Sequence, residues 1–372
     1  MKFKTSQQEL NRALTFVSRA VTARSTMPIL KGILLAADES GTLTMTASDM
    51  DLSIEKKIGV IVSEPGSIVL PAKLFTDIIR KLPSEDVEIT LGEHNSVSIR
   101  TSLSEFRIVG MPADEFPDIG TVSENRKITV DRSVFREMIR ETSFAASADE
   151  SKGVIVGVLI EMRDGFITMA ALDGFRMAVA SEKTENDQST DIIISARILN
   201  EINKILSEGG ESEEDEKVEL ILDEKKAVIF TEDSRIILRM IEGKFLKYRD
   251  LIPSEFRTTV HADKNLLIDS IERASLLAKE GRNNLIRLSF AGDRLHITSK
   301  SEAGNVDEEI PIRMEGDDLE IGFNSKYLLD GLKAIREDNI VIYLNTNVSP
   351  CVIRPLQEEN YTYLILPVRI LS

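Results

Sequence analysis

Histidine, cysteine and carboxylate side chains carry most enzyme chemistry, and this 372-residue chain has three histidines, one cysteine and 62 acidic residues. His94 follows a Gly-Glu pair and has Asn95 beside it, which reads as a loop. His261 precedes the helix start Ala262-Asp263-Lys264. His296 sits in the alternating run Arg294-Leu295-His296-Ile297-Thr298, where a strand puts it opposite Leu295 and Ile297. None has a second histidine three to five residues on, so neither a metal site nor a Ser/His/Asp triad is supported. Neither G-x-x-x-x-G-K-[ST] nor G-x-G-x-x-G occurs. With so many acids, close carboxylates arise by chance. The densest run, residues 211–216 after Gly209-Gly210, reads as a solvated acidic loop. Cys351 stands alone, which excludes a disulfide framework and a cysteine-rich zinc site and fits a reducing cytoplasm. The expectation is therefore a binding or scaffold protein with no catalytic residue, no metal and no cofactor. A hydrolase working through acids would need two carboxylates with perturbed pKa values in one cleft.

The elements that would position a site come in three copies. Ala72–Leu82, Ala196–Leu206 and Ser325–Ile335 share one eleven-position pattern: small, basic, apolar, apolar, any, acidic, any, any, basic, any, apolar. Apolar positions three or four apart predict a helix with one buried stripe. The offsets are 124 and 129 residues. A β-branched or apolar strand precedes each helix, and an alternating strand pair follows it, as in Val87–Leu91 and Val97–Arg100. A second amphipathic helix opens each unit, through Leu10, Leu14 and Val17 in the first, Phe135, Ile139 and Phe144 in the second, and Leu267 and Ile271 in the third. Two further strands follow each of these. The unit is thus helix, strands, helix, strands, itself a pseudo-duplicate. The predicted fold class is α+β, with boundaries near Thr121–Asn125 and Pro253–Glu255 and domains at 1–125, 126–252 and 253–372.

Composition bounds the function. Hydrophobic residues are 42% and charged residues 29%, which supports several cores and excludes a disordered chain. No apolar run approaches the roughly 20 residues of a membrane span. The net charge of −16 argues at first against a nucleic-acid partner. Partition changes that. The six predicted helices sum to +6, leaving −22 for everything else. If the helices share one face, a mildly basic surface sits in an acidic body that repels nucleic acid elsewhere. Helical propensity of Lys and Arg accounts for the same excess equally well. No aromatic base-stacking set or zinc finger accompanies the charges, so any DNA contact would be to the backbone.

Several motifs carry a family resemblance. Arg24-Ser25-Thr26-Met27-Pro28-Ile29-Leu30 resembles R-x-T-[LM]-P-I-L of the bacterial DNA polymerase III beta subunits, the ring-shaped sliding clamps. Ala47–Leu52 resembles their A-T-D-L-x-[LI] strand end, and Met111–Pro117 resembles P-A-x-[ED]-[FY]-P. Leu172-Asp173-Gly174-Phe175-Arg176-Met177 resembles T-D-G-[HY]-R-L, and Leu366-Pro367-Val368-Arg369 resembles the [ML]-P-[MV]-R tail. The match runs end to end and includes the three-unit organisation.

The resemblance implies three DNA-clamp domains per chain. Two chains would close head to tail as a homodimeric ring, with helices lining the hole and sheets outside. Such a ring encircles duplex DNA without reading sequence and tethers the replicative polymerase. The implied partners are the polymerase III alpha subunit, the clamp loader complex and other proteins bearing a clamp-binding motif, with no membrane. A repeat scaffold that binds linear peptides without encircling DNA is the alternative. Carried over position by position, the partner-peptide pocket comprises Ile155, Leu172, Gly174, Phe175, Arg176, Met177, Leu246, Leu251, Val348, Leu364, Ile365, Leu366, Pro367, Val368 and Arg369. For Ile155 and Leu364, plain core packing stays open as the alternative to the groove reading. Leu172, Phe175, Leu246-Lys247-Tyr248 and Asp250 depart from the commonest family residues and bear on peptide preference. The DNA-facing set is Arg24, Lys73, Arg80, Arg197, Lys204, Lys326, Lys333 and Arg336. The dimer seam would bring Phe106 and Ile108 against the other subunit's Leu276 and Leu277.

Overall fold

The computed structural model describes the chain except residues 23–24, 121–125, 186–188, 208–216, 232, 282, 359 and 371–372. Arg24 and the acidic run 211–216 lie outside the described residues. Contacts divide the chain into two compact units, Met1–Asp131 with Asp215–Met240, and Arg132–Glu214 with Ile241–Ser372.

The first repeat runs β1 (Lys2–Ser6), α1 (Gln7–Val17), β2 (Gly32–Ala37), β3 (Thr42–Ser48), β4 (Leu52–Gly59), β5 (Ile61–Glu64), β6 (Gly66–Pro71), α2 (Ala72–Lys81), β7 (Asp86–Leu91), β8 (Ser96–Arg100) and β9 (Glu105–Val109). The second runs β10 (Arg126–Asp131), α3 (Arg132–Thr142), β11 (Gly157–Arg163), β12 (Phe166–Leu172), β13 (Arg176–Lys183), β14 (Thr190–Ser195), α4 (Ala196–Leu206), β15 (Lys217–Leu222), β16 (Lys226–Phe230) and β17 (Ser234–Arg239). The third runs β18 (Thr258–Asp263), α5 (Lys264–Ala278), β19 (Leu285–Ala291), β20 (Arg294–Ser301), β21 (Gly304–Pro311), β22 (Arg313–Glu315), β23 (Leu319–Asn324), α6 (Ser325–Ala334), β24 (Asn339–Leu344), β25 (Cys351–Pro355) and β26 (Tyr361–Ile365). All six predicted helices form.

Each repeat is two strand–helix–strands halves that exchange their leading strands. β1 leads the first half but pairs with β7 of the second, and β6 leads the second half but pairs with β2 of the first. The same exchange recurs as β10–β15 with β14–β11, and as β18–β24 with β23–β19. Each half therefore takes one strand of its sheet from the other half.

Sheets also run through the repeat junctions. In the first unit β17 pairs with β4, building the sheet β10-β15-β16-β17-β4-β3-β2-β6, beside the sheet β5-β1-β7-β8-β9. In the second unit β26 pairs with β13, building β14-β11-β12-β13-β26-β25-β24-β18-β22, beside β21-β20-β19-β23. The middle repeat therefore contributes one sheet half to each unit.

The helices pack in pairs, and the period of their apolar positions explains which face goes down. In α2, Phe75, Ile78 and Ile79 are buried while Lys73, Leu74 and Arg80 are exposed. A buried polar residue opens the first helix of every pair and donates to the last carbonyls of the second. Gln7 Nε2 donates to Ile79 O at 2.8 Å, Arg132 Nε to Leu206 O at 2.8 Å, and Lys264 Nζ to Ile335 O at 2.9 Å. A helix C-terminus leaves carbonyls without intrahelical partners, and a donor there satisfies them and complements the dipole. In the second unit α3 also meets α6, so four helices lie side by side in the order α4-α3-α6-α5.

Candidate functional site

The pocket residues fall on two faces of one sheet. β12, β13, β26, β25 and β24 align Leu172, Met177, Leu364, Val352 and Tyr343 as one cross-strand row. Side chains alternate along strands, so Arg176 and Ile365, paired with each other one residue away, point to the opposite face. Leu172, Met177, Leu364 and Val352 belong to one apolar cluster with Leu159, Val179, Ile193 and Tyr248, and Ile155 packs against it. This is the groove floor. For Leu364, 5% exposed, and for half-buried Ile155, the core and groove readings describe the same surface.

The chain between β17 and β18 crosses this face. Ile241, Phe245, Ile252 and Phe256 pack on the floor, and Phe256 meets Tyr343 with ring centroids 4.8 Å apart. Tyr248 anchors the crossing, since its hydroxyl donates to Glu161 Oε2 at 3.1 Å, and Arg249 closes on the same carboxylate. Burial opposes ionisation of Glu161, but the Arg249 and Tyr248 hydrogen bonds outweigh it and hold its pKa below the usual range. The crossing leaves Leu246 and Leu251 half in solvent, alongside exposed Phe175, Val348 and Leu366. A floor of buried apolar side chains rimmed by exposed ones suits the anchors of a linear peptide.

Arg176 sits beneath the rim rather than in it. Its guanidinium is buried and donates to Asp173 Oδ2 at 3.0 Å, Asp330 Oδ2 at 2.6 Å and Phe144 O at 2.9 Å. It also lies 4.4 Å from the Tyr327 ring centroid, and Tyr327 stacks on Phe175 at 6.2 Å. Asp173 Oδ1 accepts from the Phe175 and Arg176 amides, and Gly174 takes φ 93°, where a Cβ is disfavoured. The turn that presents Phe175 is thereby set. The tail joins it: Leu366 N donates to Phe175 O and Val368 N to Gly322 O, both at 2.8 Å, with Pro367 half-buried and Arg369 exposed. Tyr327 and Asp330 were not among the sequence candidates. They lie on α6, whose pattern signals only a buried stripe.

The helix cations are exposed, and most are already paired. Arg80 bonds Asp77 at 2.5 Å, Lys204 bonds Glu201 at 2.8 Å, Lys333 bonds Glu272 at 2.5 Å, and Arg336 bonds Glu137. Arg197 is exposed with a partner of its own. Lys73 and Lys326 have no ion pair among the described residues. Exposed pairs are worth about 0–1 kcal/mol, but the Arg336 pair is not of that kind, because Glu137 is only 18% exposed and also holds Arg140.

At the expected seam, Phe106 is 41% exposed and Leu276 66%, while Leu277 is half-buried. Ile108 is only 8% exposed and faces the interior of its own unit. No group of three or more His, Cys, Asp or Glu arranged for a metal occurs among the described residues. Cys351 is fully buried, which pushes its thiol pKa far up and leaves it unreactive.

Three like α+β repeats joined strand to strand are the architecture of the processivity clamps, and the comparisons show that family. Residues 1–120, 129–247 and 249–369 match the N-terminal, central and C-terminal domains of the DNA polymerase III beta subunit. The beta sliding clamp of Synechococcus elongatus is 36% identical over the full length of both chains, and that of Bacillus subtilis 33% identical over 99% of this chain and all of its own. The crystal structure of the Bacillus subtilis DNA polymerase sliding clamp superposes with a TM-score of 0.93 at 32% identity, covering both chains completely. A putative DNA polymerase III beta subunit from Eubacterium rectale does the same, with identical values. The chain belongs to the DNA polymerase III beta subunit family. It is a DNA sliding clamp for the replicative polymerase, a processivity factor and not an enzyme, and the non-encircling scaffold is not favoured. No helix among the described residues is long and apolar enough to cross a membrane.

Proposed function

We propose that two copies of this chain close head to tail into a ring around duplex DNA, and that each copy holds partners through the groove floored by Met177 and Leu364. One observation carries the closure. Each internal junction joins a strand of one repeat to a strand of the next, β4 to β17 and β13 to β26. Counting through the repeats, the strands left over are β21 at one end and β9 at the other. Both are edges of their sheets. An unpaired edge is a template for another chain, and a head-to-tail contact that repeats the internal junctions closes into a ring.

The side chains support the same seam. At the inner junction Phe144 meets Tyr363, with ring centroids 5.9 Å apart. Phe144 stands twelve residues beyond the helix-opening Arg132, and Leu276 stands twelve beyond Lys264. Tyr363 holds the position in β26 that Phe106 holds in β9, because Ile353 faces Tyr363 and Ile99 faces Phe106. Leu276 of one copy should therefore meet Phe106 of the other. Tyr363 is wholly buried and Phe106 is not, as expected of a contact awaiting its second half. This reading keeps domain limits of 1–125, 126–252 and 253–372, and the two contact units divide the middle domain because its sheets continue into both neighbours.

In this ring the helices line the hole, and Lys73, Arg80, Arg197, Lys204, Lys326, Lys333 and Arg336 hold phosphates; Arg24, outside the described residues, belongs to the same set. The contacts are few, sequence-blind and salt-sensitive, so retention comes from topology. The groove takes short peptides of the polymerase III alpha subunit, the clamp loader and other partners in the cytoplasm. Loading the protein on nicked circular DNA with a clamp loader tests the ring. Complexes should survive gel filtration in about 0.2 M salt and be lost when the circle is linearised. Equal retention on both DNA forms would rule out encirclement.

A further inference from the structure

The repeat geometry builds the peptide-groove framework twice in each chain, at the β13–β26 junction and at the β4–β17 junction. The correspondence is fixed by hydrogen bonds. Asp49 Oδ1 accepts the amides of Asp51 and Leu52 as Asp173 Oδ1 accepts those of Phe175 and Arg176. Met50 takes φ 78° where Gly174 takes 93°. Arg239 N donates to Asp51 O at 2.8 Å as Leu366 N donates to Phe175 O. Val69 O accepts the amide of Met111 as Ile193 O accepts that of Ile241. The entry side is apolar in both, with Leu30, Leu34 and Val69 matching Ile155, Leu159 and Ile193.

The floors differ. Where the first junction has the row Leu172–Met177–Leu364, the second has Ser48–Ser53–Ile237. Ser48 and Ser53 are buried at 1% and 7% and bond each other at 2.7 Å. Where the working groove pairs Val179 with Thr362, the second pairs Glu55 with Arg235, an ion pair at 3.2 Å. On the rim, exposed Asp51 stands for Phe175 and exposed Arg239 for Leu366.

We infer that Ser48, Asp51, Ser53 and Arg239 silence this second groove and so confine apolar peptide recognition to one site per chain. The inference rests on the groove assignment above. An apolar anchor over the serine pair gains no apolar floor, and an apolar peptide across the rim strips water from two charges without replacing their hydrogen bonds.

The test is calorimetric titration with a short synthetic peptide carrying leucine and phenylalanine at its centre. The wild-type protein should bind one peptide per chain. The fourfold variant Ser48→Leu, Asp51→Phe, Ser53→Met, Arg239→Leu should bind two. The double variant Leu172→Ser, Met177→Ser transplants the silent floor into the working groove and should bind at least about 100-fold more weakly. Circular dichroism establishes that each variant is folded. Two peptides per wild-type chain, one per folded fourfold variant, or wild-type affinity in the double variant would each overturn the inference while leaving the groove assignment standing. No binding to the wild-type protein would overturn both.

Discussion

In the proposed groove, Met177 and Leu366 occupy neighbouring positions with different parts to play. Met177 is 2% exposed and belongs to the floor, whereas Leu366 is 39% exposed on the rim. A charge at Leu366 meets solvent in the free protein and apolar anchor in the complex. Leu366→Asp should therefore weaken a labelled partner peptide at least about tenfold, read by fluorescence anisotropy, with unchanged melting and dimer mass. Met177→Asp should weaken it as much and also lower the melting temperature, because it buries a charge in the free protein. Arg176 acts differently. Surrounded by Asp173, Asp330, Phe144 and Tyr327, it positions the rim from the far face of the sheet and does not touch the floor.

At the scale of elements, α3 and α6 meet through a charge cluster. Arg140 Nη2 donates to Ala334 O at 2.7 Å and Nη1 to Lys333 O at 3.2 Å, so the guanidinium caps the end of α6. Arg140 and Arg336 both bond Glu137, and these bonds overcome the cost of burial and hold its pKa at about 2. Glu141 lies beside this pair. Burial, then repulsion from Glu137, pushes its pKa up to about 8. A carboxyl whose folded pKa exceeds its unfolded value stabilises the fold most below the unfolded pKa, and stability declines as pH rises toward the folded one. The window is roughly pH 4.5 to 8. Glu141→Gln should remove that slope, leaving melting similar near pH 5 and raised by a few degrees near pH 8.5. Equal pH dependence in both proteins, followed by thermal melting, would show that Glu141 does not titrate in this range. Glu137 has the opposite sign, and its contribution is lost only as pH falls from about 4.5 toward 2.

For the whole molecule the decisive feature is what each chain leaves unfinished. β9 and β21 are edges of their sheets, and the proposed closure joins them and sets exposed Phe106 against exposed Leu276 of the other copy. Phe106→Asp should give folded monomers near 41.5 kDa by light scattering, with melting of the protomer nearly unchanged. A Phe106→Asp protein that remains dimeric would place the seam elsewhere. Ile108→Asp is a poorer probe, because Ile108 is buried in its own unit and its loss damages the fold first. Peptide binding should survive in the monomer, since every groove residue comes from one chain.

Much of this was legible in the residues alone. Helices α2, α4 and α6 announced themselves by one eleven-position pattern, because a helix against a sheet buries every third or fourth residue whatever surrounds it. The strand pairs after each helix followed from alternation for the same reason, and the family motifs pointed to the segments of the proposed groove. The strands β4, β13, β9, β17 and β26 were not resolved from alternation, and their pairing across repeats could not be, since a backbone ladder bonds through groups that every residue carries. The two faces of the pocket were likewise hidden. Arg176 and Met177 are neighbours in sequence, and only the register of β13 against β26 sends one toward α6 and the other to the groove floor. The buried donors Gln7, Arg132 and Lys264 differ in chemical type, so no residue pattern links them, although each ends the same way on a helix carbonyl. The sequence by itself determined the local elements, their threefold recurrence and the charge contrast between helices and the rest. The tertiary structure decided which edges join, which are left open and which side chains share a face, because those depend on backbone register and on contacts between residues far apart in the chain.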